Sequence, residues 1–63
     1  MQPHQERVVT EKSELDEKLT KLNAFIGGKT YEALPEAERI RLARQANIMH
    51  EYSFVLAERI AAF

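Results

Sequence analysis

The chain has 63 residues, nine Lys or Arg against ten Asp or Glu, a formal charge of -1, and no cysteine. One small domain, residues 1–63, is all that this length permits. Disulfides and thiolate metal sites are excluded, and a near-neutral chain is not a bulk nucleic-acid binder.

A chain this short buries little apolar surface, and small domains usually recover stability through disulfides, a metal or oligomerisation. His4 and His50 lie far apart in sequence and make no ligand spacing, so no metal and no cofactor is expected. Oligomerisation is left. The apolar runs are only a few residues long, so no membrane span is expected. The segment Met1–Glu6 is polar and unlike a signal peptide, which points to the cytoplasm.

The first predicted element is a helix over about 5–26. Val8, Leu15, Leu19, Leu22 and Ile26 recur at spacings of seven, four, three and four, which is a helical stripe. Lys12 interrupts the stripe and can lay its aliphatic stem over the core. Glu14 and Lys18, and Glu17 and Lys21, stand in the favoured i,i+4 order. Gly27 or Gly28 supplies a left-handed residue to end the helix.

The connection, 27–34, can only turn the chain back. Thr30 is a plausible N-cap for a single turn from Tyr31 to Leu34. Pro35 suits the first turn of a second helix, where its missing N–H has no helical partner, and Glu36 and Glu38 match the positive helix end.

That second helix is expected over about 35–61. One stripe holds Leu42, Ala46, Met49, Leu56, Ile60 and Phe63, with Ser53 filling a gap. Ile40, Ile48, Tyr52 and Val55 are rotated away from it. One neighbouring helix covers only one stripe. The second surface calls for another partner, most simply further copies of the chain about a symmetry axis. The expected fold is therefore all-α: a two-helix antiparallel hairpin, with a short helical turn in its connection, assembling into a symmetric helical oligomer. A broad hairpin face with Ile48 and Val55 left exposed is the plainer alternative.

Catalysis has little support. Ser13 and Ser53 lie within helices and have no base at recognisable spacing. His50 reads as a boundary residue. Glu11, Glu14, Asp16 and Glu17 are interleaved with Lys12, Lys18 and Lys21, as on a solvated face. Gly28-Lys29-Thr30 imitates the end of a phosphate loop, but that motif needs glycine where Asn23 stands, and a preceding strand. The chain is expected not to be an enzyme.

The second helix carries Arg39, Arg41, Arg44 and Arg59 and no lysine, and the first adds Arg7. A guanidinium offers a planar fork of donors suited to phosphate, and it stacks on bases. Arg41 and Arg44 share a helix face, and Tyr31 precedes them as an aromatic platform. Together these make a small nucleotide site conceivable. The plainer reading pairs Arg41 with Glu38 and uses Tyr31 to staple the connection to the hairpin.

Gln5-Glu6-Arg7-Val8-Val9, Glu11-Lys12, Glu14-Leu15, Lys18, Leu22 and Phe25-Ile26 carry a resemblance in the first half. Tyr31-Glu32-Ala33-Leu34-Pro35, Glu38, Leu42, Gln45, Met49, Tyr52-Ser53, Leu56 and Glu58-Arg59-Ile60 continue it. The pattern resembles the helical hairpin of phage anti-CBASS and anti-Thoeris proteins, and the likeness spans nearly the whole chain. Those proteins are sponges for immune evasion. They hold the cyclic nucleotide messengers of bacterial defence without cleaving them.

The resemblance implies a hexamer with ligand held between protomers, in the cytoplasm of an infected bacterium. It implies cyclic di- or trinucleotide ligands, and no DNA or membrane partner. Tyr31 and Leu34 match the tyrosine that packs on a base and the leucine three residues after it. The lysine expected about four turns on is absent, with Gln45 and Ala46 in that neighbourhood; Arg44 or His50 would have to substitute. Arg7 and Arg59 are the candidates for an arginine repeated around a three-fold axis. The ligand-binding candidates are thus Arg7, Tyr31, Arg41, Arg44 and Arg59. The alternative is a small oligomeric hairpin adaptor that docks on a host protein; a hairpin with no ligand is a third reading.

Overall fold

The computed structural model describes all residues, 1–63. It is all-helical: α1 (Pro3–Ile26), a single turn α2 (Lys29–Glu32), and α3 (Glu36–Ala61). The two long helices pack as an antiparallel hairpin, Val8 and Leu15 of α1 meeting Leu56 of α3.

α1 begins two residues earlier than its stripe suggests. Gln2 is the N-cap and Pro3 takes the first helical position, where a missing N–H costs nothing. The Gln2 N–H donates to the Gln5 side-chain oxygen at 2.8 Å, half of a capping box. Of the two i,i+4 pairs expected on α1, only Lys21 and Glu17 meet, at 3.4 Å.

The connection departs from expectation in detail. Neither glycine is left-handed: Gly27 has φ -79° and Gly28 φ -103°. α2 follows immediately, so the chain leaves α1 by a tight turn, with Gly28 N–H donating to the Phe25 carbonyl at 3.0 Å. Extended Gly28, not Thr30, caps α2. Pro35 is likewise the N-cap of α3 and not part of its first turn. Its carbonyl accepts from the N–H groups of Glu38 and Arg39 at 3.0 and 3.1 Å. Glu36 and Glu38 do occupy the first turn, at the positive end of the dipole.

The core is thin. Val8, Leu15, Leu19, Ala46 and Leu56 are the five buried residues, and only Leu56 is sealed completely. Met49 and Ile60 pack partly against them. Phe63, expected on this stripe, lies past the end of α3 and is exposed. The result is a rod of 46 × 14 × 13 Å with a radius of gyration of 14.5 Å. A compact chain of this length would have a radius of about 10.6 Å. The second stripe of α3, Ile40, Ile48, Tyr52 and Val55, faces solvent.

Candidate functional site

Tyr31 is held by the hairpin itself. Its hydroxyl donates to the Arg39 carbonyl at 3.1 Å, and its ring meets Phe25 edge-on, centroids 6.5 Å apart. The connection is thereby pinned to the first turns of α3. Arg41 follows Arg39 by two residues, about 200° around the helix. Tyr31 and the Arg41–Arg44 pair therefore lie on opposite flanks of α3 within one chain.

Arg41 and Arg44 do come together. With Gln45, Ile48 and Met49 they line a shallow groove of about 320 Å³. Arg41 is engaged by Glu38, its Nε donating to the carboxylate at 2.9 Å. Arg44 forms no ion pair.

Arg7 and Arg59 stand at the other end of the rod. The Ser53–Asp16 bond fixes the antiparallel register; Arg7 lies nine residues before Asp16 and Arg59 six after Ser53, so both stand toward the open end of the hairpin. Both are exposed, and neither has a carboxylate partner. Successive residues turn by about 100°, so each sits one step off the buried stripe in the same sense. In an antiparallel pair that puts both on one broad face. The hollow beside Arg7 on α1 is lined by Glu6, Glu11 and Glu14, which outnumber the single cation. Arg7 thus sits in an acidic surround, though no carboxylate closes to ion-pair distance.

Two polar features of the inner seam were not legible as sites. Asp16 accepts from Lys12 Nζ at 2.6 Å and from the Ser53 hydroxyl across the seam. The Lys12 hydrogen bond, then that from Ser53, hold the Asp16 carboxyl below its ordinary value, with the charges of Lys12 and His50 adding to the effect. Ser53 thus fills the gap in the stripe by bonding to α1. Arg39 is half-buried, and its Nε is buried with no hydrogen-bond partner. Its position could have been found from spacing, because Arg39, Leu42, Ala46 and Met49 continue one stripe at three, four and three.

No group of three or more His, Cys, Asp or Glu side chains is assembled as a metal-ligand set. No helix is long and apolar enough to cross a membrane.

These features define a small all-helical hairpin with a thin core, an uncovered apolar stripe and unpaired arginines at its open end. The chain belongs to the Sequestin family, whose model it matches over residues 2–62. No curated protein and no solved structure matches it significantly.

Proposed function

We propose that this protein is a non-catalytic sponge: an oligomer, most simply a hexamer, that binds cyclic di- or trinucleotides of bacterial anti-phage defence and withholds them from their effectors. The observation that carries the reading is the pair Arg7 and Arg59, exposed, unpaired and gathered at one end of the hairpin. Each phosphodiester of a cyclic oligonucleotide bears one negative charge. A guanidinium that is not engaged in an ion pair is the side chain that recognises it best. The family's name points to sequestration, and the resemblance to phage anti-CBASS and anti-Thoeris hairpins supplies the ligand class.

One thin hairpin offers no enclosed pocket, so ligand is held between protomers. Arg7 and Arg59 are the proposed phosphate contacts. Tyr31 and the Arg41–Arg44 groove are secondary candidates, because Tyr31 and Arg41 already have partners within the chain. Sequestration works by mass action: sites must outnumber the messenger and bind it more tightly than the effector does. The site of action is the cytoplasm of the infected cell.

Native mass spectrometry with a panel of cyclic di- and trinucleotides tests this directly. Bound ligand should be recovered intact after the protein is denatured. Arg7→Ala or Arg59→Ala should each remove about 1.5–3 kcal/mol of binding per contact, a charge-assisted hydrogen bond. Linear products that scale with protein would overturn the sponge, and so would failure of every cyclic nucleotide to bind. In the second case the exposed stripe of α3 would favour an adaptor for a host protein.

A further inference from the structure

The outer edge of α3 is patterned in charge as well as in hydrophobicity. Residues turn by about 100° each, so Ile40, Arg44, Ile48, Glu51 and Val55 share the edge that points away from α1. All are exposed, the three apolar ones by 58%, 61% and 49%. Arg44 and Glu51 have no ion-pair partner in their own chain. The cation lies toward the N-terminal half of the helix and the carboxylate toward the C-terminal half. Such an edge is complementary to itself when reversed.

We infer that this edge is the contact between two copies of the chain, with the α3 helices antiparallel about a two-fold axis beside Ile48. Setting Arg44 of one copy against Glu51 of the other fixes the register, and the symmetry makes the pair twice. The same register sets Ile40 against Val55, again twice, and brings the two Ile48 side chains together at the axis. It also overlaps nearly the full length of both helices, because Ile48 is close to the midpoint of α3. A parallel pairing would face Arg44 with Arg44 and Glu51 with Glu51, and would align two helix dipoles in the same sense. Both effects oppose it. Arg44, Glu51 and the three aliphatic side chains thus all find complements in one arrangement, while Glu58, at the same angle as Ile40, falls opposite Ala37 at the rim.

The surface area agrees with a missing partner of this kind. The single chain exposes 4858 Å², where a compact protein of this mass exposes about 4,200 Å². The inference rests on the assembly part of the proposed function and is independent of the ligand. It assigns Arg44 to the protomer contact and leaves Arg7 and Arg59 open to anions.

The chain has no cysteine, so single-cysteine variants report the register without background. Ile48→Cys should form a disulfide-linked dimer under mild oxidation. Ile40→Cys and Val55→Cys should each stay unlinked alone and link when mixed. Separately, Arg44→Glu should weaken dimerisation about tenfold or more, as like charges then face each other. Adding Glu51→Arg should restore it, with mass read by sedimentation equilibrium. Ile40→Cys linking to itself as efficiently as in the mixture would overturn the proposal. So would a double reversal that fails to restore the dimer, or a parent chain that sediments as a monomer at high micromolar concentration. Cyclic nucleotide binding, measured in parallel on the parent, separates the two claims. Paired chains that bind no ligand refute only the sponge, and ligand binding without the α3 links refutes only this contact.

Discussion

Leu56 on the inner face of α3 is completely buried, while its chain neighbour Val55 on the outer face is half exposed. Both are aliphatic, and both lie in the same turn of the same helix. What separates them is about 100° of rotation and the presence of α1 on one side only. The inner face is closed by Val8, Leu15 and Leu56, and its one gap is filled by Ser53 reaching Asp16. The outer face offers a comparable stripe, but its Arg44 and Glu51 have no ion-pair partner within the chain. The contrast teaches that the hairpin covers one apolar side of this helix and leaves the other bare.

The largest expected effect lies on the inner face. Leu56→Ala should cost about 2–5 kcal/mol, most of what a domain of this size holds. Thermal melts followed by circular dichroism should then show loss of cooperative folding. Val55→Ala, at the adjacent residue, should leave the helical signal intact and show its effect in particle mass. Equal loss of helix in the two variants would erase the distinction between the faces.

A second test exchanges polarity on each face. Ile48→Asp should dissociate the proposed α3 pair, because an unpaired carboxylate would be driven into an apolar contact. Light scattering should report the mass of one chain. Arg39→Met, on the inner side, removes a guanidinium whose Nε is buried without a partner. It should be neutral or stabilising, by up to about 1–3 kcal/mol of relieved desolvation. A melting temperature well below the parent's would mean that the guanidinium makes a contact worth more than its burial costs.

The smallest effect concerns acid. The Asp16 carboxyl is held below its ordinary value by Lys12 and Ser53. A group whose folded pKa is depressed contributes stability above its unfolded pKa and loses it as pH falls through the folded value. Stability should therefore decline as pH drops through and below the ordinary aspartate range, near 4. Asp16→Asn should flatten that decline and leave the neutral-pH assembly unchanged. A parent and variant with identical acid melts would show that the seam draws nothing from this carboxylate.

Much of this fold was legible because its signals are local. Leucines at three and four, a single Gly-Gly and a single Pro35 define two helices and one reversal. The ends were less legible: α1 starts at Pro3, two residues early, because Gln2 and Gln5 cap it there, and Pro35 caps α3 instead of opening its first turn. The glycines misled, because α2 follows so closely that the chain never needs a left-handed residue. The candidate site was legible only as residue types. Spacing shows that Arg41 and Arg44 share a face, and it also offers the pairing of Arg41 with Glu38 that the structure makes. It offers Tyr31 as a staple from the connection to the hairpin without naming the Arg39 carbonyl as acceptor, and it gives no sign that Arg7 and Arg59 stand at one end of the rod from opposite ends of the chain. That last is a fact about residues distant in sequence, as is the bond from Ser53 to Asp16, 37 residues apart.

The Tyr31 tether also sets a direction in time. It closes the shortest loop in the molecule, and each further pairing of α1 with α3 enlarges that loop only slightly, at small entropic cost. Assembly of the hairpin should run as a zipper from the connection outward, at the microsecond-to-millisecond pace of helical folds with local contacts. On that order the open end should be ordered last and fray first. Amide exchange should be slowest along the middle of the seam and fastest around Arg7 and Arg59. Any anion bound there would slow exchange most where the unliganded chain is loosest, so the footprint of a ligand would be read as a change in rate before any change in shape.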